Sequence, residues 1–422
     1  MERLIVTNFL VIKQADFEVG KFNLIIGQQA SGKSVLAKLL YFFREFITST
    51  YFNSVKNFDN KKAVEKRGLY NFENYFPKYT WHDKDFEIIY KVNDIEISIK
   101  QKISNTNNAP LKLDYSSTLI SLHKKLKNAY KKKLFEYERE QGFEDVIGDP
   151  FWKIVENYIY KTDIASSFNR SLFIPASRSF FASLQKSVFS FLANNIEVDP
   201  FIRDFGSQYE SAKRLYGRRQ VYSYRREASS EKLIKQINEL IETILVGRYK
   251  YEEEQDWIVF QNQRINLANA SSGQQEALPM LLIMSVWPFR GKGIHTYFIE
   301  EPEAHLFPLS QKHLVSLMAL IFKKLKHHFV ITTHSPYILT AINNLILKND
   351  IRNQNNSEKF DKQFVTDYSI DYEEVKAYTF ENGRLVSILD DEARLVGSNV
   401  IDSVSDEFET EFDTLLALQV DN

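Results

Sequence analysis

Gly27-Gln28-Gln29-Ala30-Ser31-Gly32-Lys33-Ser34 reads GxxxxGKS, and its flanks decide the fold. Phe22-Asn23-Leu24-Ile25-Ile26 before it is a short apolar strand. Val35-Leu36-Ala37-Lys38-Leu39-Leu40-Tyr41-Phe42-Phe43 after it has helical spacing. A strand, a Gly-rich turn and a helix N-terminus make a phosphate cradle, with backbone N–H groups facing the phosphate oxygens. In such a cradle Lys33 is the cation for the β- and γ-phosphates, and Ser34 supplies a hydroxyl to Mg²⁺. Gly-rich turns before helices are common; the full eight-residue pattern between strand and helix is not.

Bulk properties narrow the setting. The chain has 422 residues, enough for a large core and two or three structural units. Its formal net charge is -1, so no global field points to nucleic acid or membrane. It has no cysteine, which excludes disulfides and thiolate metal sites and fits a reducing cytosol. The N-terminus alternates like a strand and lacks the apolar core of a signal peptide. The longest apolar run, around 277–289, is too short to span a bilayer and contains Pro279 and Pro288. The expectation is a soluble cytoplasmic protein with no membrane partner.

Along the chain, residues 1–46 carry two β-patterned runs, the turn and its helix. Residues 47–85 are aromatic and polar without a clean period. Residues 86–92 and 95–100 flank Asn93-Asp94 and predict a β-hairpin. Residues 117–141 read as a basic helix with Lys124, Lys125, Lys127, Lys131, Lys132 and Lys133, either a solvated face or a nucleic-acid or partner contact. Residues 171–174 form a strand ended by Pro175, and 179–245 look mostly helical. Within them the stretch from Lys213 to Arg226 interleaves Arg218, Arg219, Arg225 and Arg226 with tyrosines. That composition fits a nucleic-acid grip, a protein contact or a solvated helix alike. From 270 the rhythm is βαβ, with helices after Ser272 and Ser335 and strands ending at Ile299 and Thr333, which predicts a parallel sheet. Residues 349–371 read as a polar loop, and two strands near 375–380 and 384–389 flank Asn382-Gly383. An acidic amphipathic helix is expected over 398–419, with Val404, Phe408, Phe412, Leu415 and Leu416 on its stripe.

Three later stretches complete the chemistry. Thr296-Tyr297-Phe298-Ile299-Glu300-Glu301 is an apolar strand ending in paired carboxylates. At a strand end Glu300 would hold Mg²⁺, and Glu301 would take a proton from the attacking water. Phe329-Val330-Ile331-Thr332-Thr333-His334 ends in a histidine that could reach the γ-phosphate or that water; alone, a strand-end histidine means little. Asn269-Ala270-Ser271-Ser272-Gly273-Gln274 opens a helix and forms a second anion site. One nucleotide does not easily need two such sites from one subunit.

Together these residues resemble the ABC/SMC-type ATPases, in the order Walker A, signature, Walker B and switch histidine. Ser271, Gly273 and Gln274 match the signature pattern LSGGQ, with Ala270 and Ser272 as departures. The resemblance implies an α/β, ABC-type P-loop ATPase head with a mixed sheet, interrupted by a mainly helical insertion. It assigns 1–46 and 246–397 to the core, joined by hairpin 86–103 and strand 171–176, and 47–245 to the insertion. It also implies a head-to-tail dimer, open to higher assembly, with ATP between the phosphate turn of one copy and Ser271, Ser272, Gly273 and Gln274 of the other. The family usually has Asp where Glu300 stands. Gln101 is the candidate for the family's Q-loop.

Ile299-Glu300-Glu301-Pro302-Glu303-Ala304-His305-Leu306-Phe307-Pro308, with Thr333-His334-Ser335-Pro336, narrows the resemblance. It is similar to ATPases of the overcoming-lysogenization-defect (OLD) class, including PtuA-like ATPases of bacterial antiphage systems. Such proteins often carry a TOPRIM nuclease with clustered carboxylates. The 88 residues after His334 show no such pattern. The implied function is therefore an ATPase that controls a separately encoded effector, a nuclease or toxin. The alternative is a DNA-repair or chromosome-maintenance ATPase of the SMC kind, which would need a long heptad coiled coil that the sequence does not sustain.

Overall fold

The computed structural model describes residues 2–102, 111–140, 151–160, 168–184, 198–217, 228–290, 293–354, 367–397, 409–410 and 412. The chain opens on an antiparallel pair, β1 (Glu2–Phe9) and β2 (Ile12–Val19), then lays down β3 (Phe22–Ile26) and α1 (Lys33–Glu45). A π-helical turn at Phe46–Tyr51 leads into α2 (Phe52–Lys56) and α3 (Lys61–Tyr75). The hairpin forms across Asn93-Asp94: β4 (Phe86–Val92) pairs with β5 (Ile95–Gln101), and β6 (Lys112–Tyr115) adds to its edge. Next come α4 (Ser117–Glu140), α5 (Phe151–Val155), β7 (Arg170–Ile174), α6 (Phe180–Leu184), α7 (Pro200–Tyr216) and α8 (Ala228–Leu245). A separate antiparallel sheet holds β8 (Arg248–Glu252), β9 (Gln255–Phe260) and β10 (Gln263–Asn266). Helix and strand then alternate through α9 (Ser272–Val286), β11 (His295–Glu300), α10 (Pro308–Leu325), β12 (His328–Thr333) and α11 (Pro336–Gln354). The hairpin of β13 (Val375–Glu381) and β14 (Arg384–Ser387) follows.

Eleven strands form one mixed sheet in the order β6-β5-β4-β1-β2-β14-β13-β3-β12-β11-β7. From β13 to β7 the neighbours run parallel. Both faces of this block are apolar, as a sheet covered on both sides requires. Phe22, Leu24, Leu172, Tyr297, Ile299, Phe329 and Ile331 enter one layer together with α9 and α10. Ile25, Phe173, Phe298 and Val330 enter the other, with α1. There Tyr41 meets the rings of Phe173 and Phe298 at 5.2 and 5.6 Å. Successive side chains point to opposite faces, so each strand feeds both cores. The aromatic residues of 47–85 had no readable period, yet Phe72 and Phe76 pack with Phe9 and Phe86 in the second core.

Two expectations are corrected. The loop expected over 349–371 begins later, because α11 runs to Gln354. Its polar residues lie on the outer face, where Asp350 pairs with Arg394 at 2.9 Å. Gln101 ends β5 in the antiparallel wing, away from the parallel block. It is buried and donates to the carbonyl of His82 at 2.8 Å, which makes it a packing group rather than a nucleotide sensor. The acidic helix expected over 398–419 lies, apart from three residues, outside the described residues.

His295 starts β11 in a buried position and stacks on His327 at 5.0 Å. Burial pushes its imidazole down to about 3, with His327 and Arg170 adding to the effect. The unfolded chain therefore binds a proton near the ordinary value of 6.5 that the folded chain refuses. Stability from this residue is complete above that pH and falls as pH drops, by about 1.4 kcal/mol per pH unit. Urea unfolding of the wild type and His295→Leu at pH 7.5, 6 and 5 should show a steeper acid loss in the wild type. Parallel pH curves would contradict the burial argument.

Candidate nucleotide site

The stretches singled out in the sequence meet at one edge of the sheet. β3, β12 and β11 are adjacent and parallel, with Ile26 opposite Thr333 and Thr332 opposite Glu300. Their C-terminal ends place Gly27, His334 and Glu301 side by side, on the edge where open α/β sheets bind ligands. The N–H of Gly27 donates to the carbonyl of Thr333 at 3.3 Å, which fixes the start of the turn.

Within the turn Gly32 sits at φ 114°, a region that favours glycine, and α1 begins without a side-chain cap. Its first N–H groups are thereby left for an anion. Lys33 folds across the turn and donates to the carbonyls of Gly27 and Gln28 at 2.8 and 2.6 Å. Burial lowers the pKa of this ammonium, while Glu301 and Glu303 act in the opposite direction. Gln28, Gln29 and Ala30 form the exposed crown of the turn. The Ser31 hydroxyl is buried without a partner.

Ser34 and Glu300 are brought together. Burial raises the Glu300 carboxyl, and the positive charge of Lys38, with the Ser34 hydroxyl and the Ala176 N–H nearby, opposes this only in part. Its Oε1 is buried with no partner. Glu301, next in the chain, is a third exposed and sits at φ 43°, uncommon for a side-chain-bearing residue. The two adjacent carboxylates thus occupy opposite environments, one enclosed and one open. His334 is exposed, its Nδ1 3.8 Å from Glu301 Oε1 and 3.5 Å from Glu303 Oε1. Glu303 is buried and accepts from the Thr333 hydroxyl at 2.7 Å and the His334 N–H at 2.9 Å. It fixes the backbone that carries the histidine, a role the sequence reading did not give it.

The second helix start is built differently. Ser271 caps α9, and Gln274 closes a reciprocal capping box with it. Gln274 also donates to the carbonyl of Leu245 at 2.7 Å. Both side chains are thus engaged within the chain, and the backbone N–H groups of Ser272 and Gly273 are what the first turn offers an anion. A Cβ on Gly273 would lie 2.7 Å from the carbonyl oxygen of His305, so this glycine answers a close backbone approach. Arg178 and Glu276, which the sequence reading left without a role, are both buried, Arg178 against the carbonyls of Glu300 and Glu301 and Glu276 against Arg178. The available signals were an arginine just beyond a strand-ending proline and one carboxylate heading an apolar helix.

Of the basic stretch from Lys213 onward, Lys213 itself is engaged within the chain. Lys213 is buried, paired with Glu210 at 2.6 Å and Asp256 at 3.6 Å, and faces the rings of Tyr209 and Tyr251. Arg218, Arg219, Arg225 and Arg226 lie outside the described residues. On α4, Lys124, Lys125, Lys131 and Lys132 are exposed and Lys133 pairs with Glu136 at 2.9 Å, as on a solvated face.

A parallel block with a GxxxxGKS turn on one strand and carboxylates at a neighbouring strand end defines an α/β P-loop ATPase. Residues 1–339 match the family model AAA_15, AAA ATPase domain, and the chain belongs to that family. It is an ATPase and binds nucleotide. No curated protein matches it. Among solved structures it is similar to the SMC head domain from Thermotoga maritima, at 11% identity over 92% of this chain and 97% of that one, with a TM-score of 0.37. It is also similar to the recombination mediator protein RecF-ATPrS in the RecFOR pathway, at 11% identity over 92% and 97% of the two chains, with a TM-score of 0.32. Among the described residues no helix is long and apolar enough to cross a membrane.

The Gly273 contact gives a test of sign. Helix propensity alone would make Gly273→Ala stabilising by about 1 kcal/mol. The clash with the His305 carbonyl should outweigh it and cost about 1–3 kcal/mol. A lowered melting temperature is expected; a raised one would mean that the His305 turn gives way freely.

Proposed function

We propose that this chain is the ATP-hydrolysing regulatory subunit of a bacterial antiphage system, acting as a head-to-tail pair and controlling a separate effector. One observation carries the hydrolytic part: Glu300, at the end of the strand beside the lysine-bearing phosphate turn, is buried with its Oε1 left without a partner. An orphaned buried carboxylate oxygen suits a cation. Ser34 and Glu300 would hold Mg²⁺, which when bound neutralises charge on the β- and γ-phosphates.

The chain's own groups do the rest. Lys33 exchanges the carbonyls of Gly27 and Gln28 for phosphate oxygens. The turn's N–H groups orient the phosphates. Glu301, partly open to solvent, takes the proton from the attacking water, and His334 holds the γ-phosphate or that water. The N–H groups of Ser272 and Gly273 and the cap at Ser271 complete the site from a second copy. Regulation of a separate effector rests on the Glu301-Pro302-Glu303-Ala304-His305 and Thr333-His334-Ser335-Pro336 wording, similar to that of OLD-class ATPases.

Glu301→Gln should bind ATP with wild-type affinity, lose about 10²-fold or more in kcat, and accumulate as the ATP-bound pair. Wild-type turnover in that variant would remove Glu301 from the base role. Mixing Lys33→Ala with Gly273→Asp, each inactive alone, should restore turnover at one site per mixed pair; no recovery would rule out sharing between copies. The regulatory role predicts that the tagged protein copurifies with the product of an adjacent gene, and that Lys33→Ala abolishes protection from phage. Absence of both, with DNA-stimulated hydrolysis lost on neutralising Arg218 and Arg219, would favour a DNA-maintenance role instead.

A further inference from the structure

Arg178 has no exposure to solvent, and its guanidinium spends its donors on backbone. Nε donates to the Glu276 carbonyl at 3.0 Å. Nη1 donates to the carbonyls of Pro175 at 2.9 Å and Glu300 at 2.7 Å, and Nη2 to that of Glu301 at 3.0 Å. Its own N–H donates to the Glu276 carboxylate at 3.0 Å, and the same carboxylate lies 3.5 Å from Nε as the buried counter-charge. One side chain thus joins the end of β7, the end of β11 and the second turn of α9.

The sheet does not need this. β7 and β11 are already paired in register from Arg170 opposite His295 to Ile174 opposite Ile299. Burying a guanidinium is costly unless its donors and its charge are satisfied, so its presence calls for a local reason. That reason is the peptide at Glu301. Its left-handed backbone is sparsely populated and needs support from both sides. The Glu301 N–H is held by the carbonyl of Thr332 at 2.8 Å, and its carbonyl by Arg178. On the far side, the Gly273 backbone closes against His305 in the turn that Glu301 begins. The first turns of α9 and the Glu301 peptide are therefore one rigid unit.

We propose that Arg178 is a positioning residue, which fixes Glu301 and couples it to α9, so that an anion docking on residues 271–274 is registered at Glu301. This rests on the reading of Glu301 as the base that activates water. No contact between Arg178 and nucleotide is implied.

The test is a double-mutant cycle on the full chain, reading kcat for ATP hydrolysis together with the Kd for a fluorescent ATP analogue. Arg178→Lys keeps the charge opposite Glu276 but loses the fork that reaches four carbonyls. We expect kcat to fall about 10²-fold, the effect of a misplaced catalytic group, with Kd within about threefold of wild type. In the Glu301→Gln background Arg178→Lys should cost nothing more, because it acts through Glu301. Wild-type kcat in Arg178→Lys, a Kd that rises in step with the kcat loss, or losses that multiply in the double variant would each overturn the proposal. Wild-type turnover in Glu301→Gln would instead sink the base assignment. If Arg178→Lys does not fold, Glu276→Gln, which keeps an acceptor for the Arg178 N–H while removing the counter-charge, takes its place with the same kcat-only loss expected and the same overturning results.

Discussion

The in-register parallel pairing of β3, β12, β11 and β7 is the constraint on which the rest of the structure depends. Because Ile26 lies opposite Thr333, Thr332 opposite Glu300 and Ile299 opposite Ile174, four chain segments leave the sheet at one edge. The phosphate turn, Glu300, Glu301 and His334 follow from where those strands stop. A slip of one residue would exchange the two faces of a strand, sending Phe298 into the layer that now holds Tyr297 and Ile299. Since both faces are apolar, hydrophobicity alone would tolerate that slip better than a one-sided sheet would. The turn ends supply additional registration: Gly27 to Thr333, Glu301 to Thr332, and Arg178 to Glu300 and Glu301.

The same edge sorts its charges by depth. Glu300 is enclosed, and burial holds its carboxyl above the ordinary carboxylate range, with the positive charge of Lys38 opposing this in part. Glu301 lies one residue further on and reaches solvent because its backbone turns left-handed. Adjacent carboxylates in different environments can take different tasks, and in the proposed function they do: one holds a cation, the other receives a proton. Glu303, buried below them, bonds Thr333 and the His334 N–H and leaves the imidazole exposed.

What the sequence made legible was local. The phosphate turn, the strand that ends in Glu300-Glu301, the strand that ends at Thr333 and the hairpin at Asn93-Asp94 each declare themselves within about ten residues. What it hid was non-local or written in backbone. Arg178 and Glu276 meet across 98 positions of sequence, and most of the acceptors of Arg178 are carbonyls, which every residue has. Lys213 looked like part of a basic surface because its partner Asp256 lies on a distant strand. Gln101 looked like a sensor only through its place after a hairpin. The aromatic residues after position 47 showed no period because they pack from several short helices against one face, not from one long stripe.

The most direct measurement of the central claim is ATP turnover by the purified chain as Mg²⁺ is titrated, wild type against Ser34→Ala. If Ser34 and Glu300 hold the ion beside the phosphate turn, hydrolysis is absent without Mg²⁺ and saturates with it, and Ser34→Ala needs a higher Mg²⁺ concentration for half-maximal rate. Turnover that ignores Mg²⁺, or coincident titrations for the two proteins, would contradict the site as assembled from these strand ends.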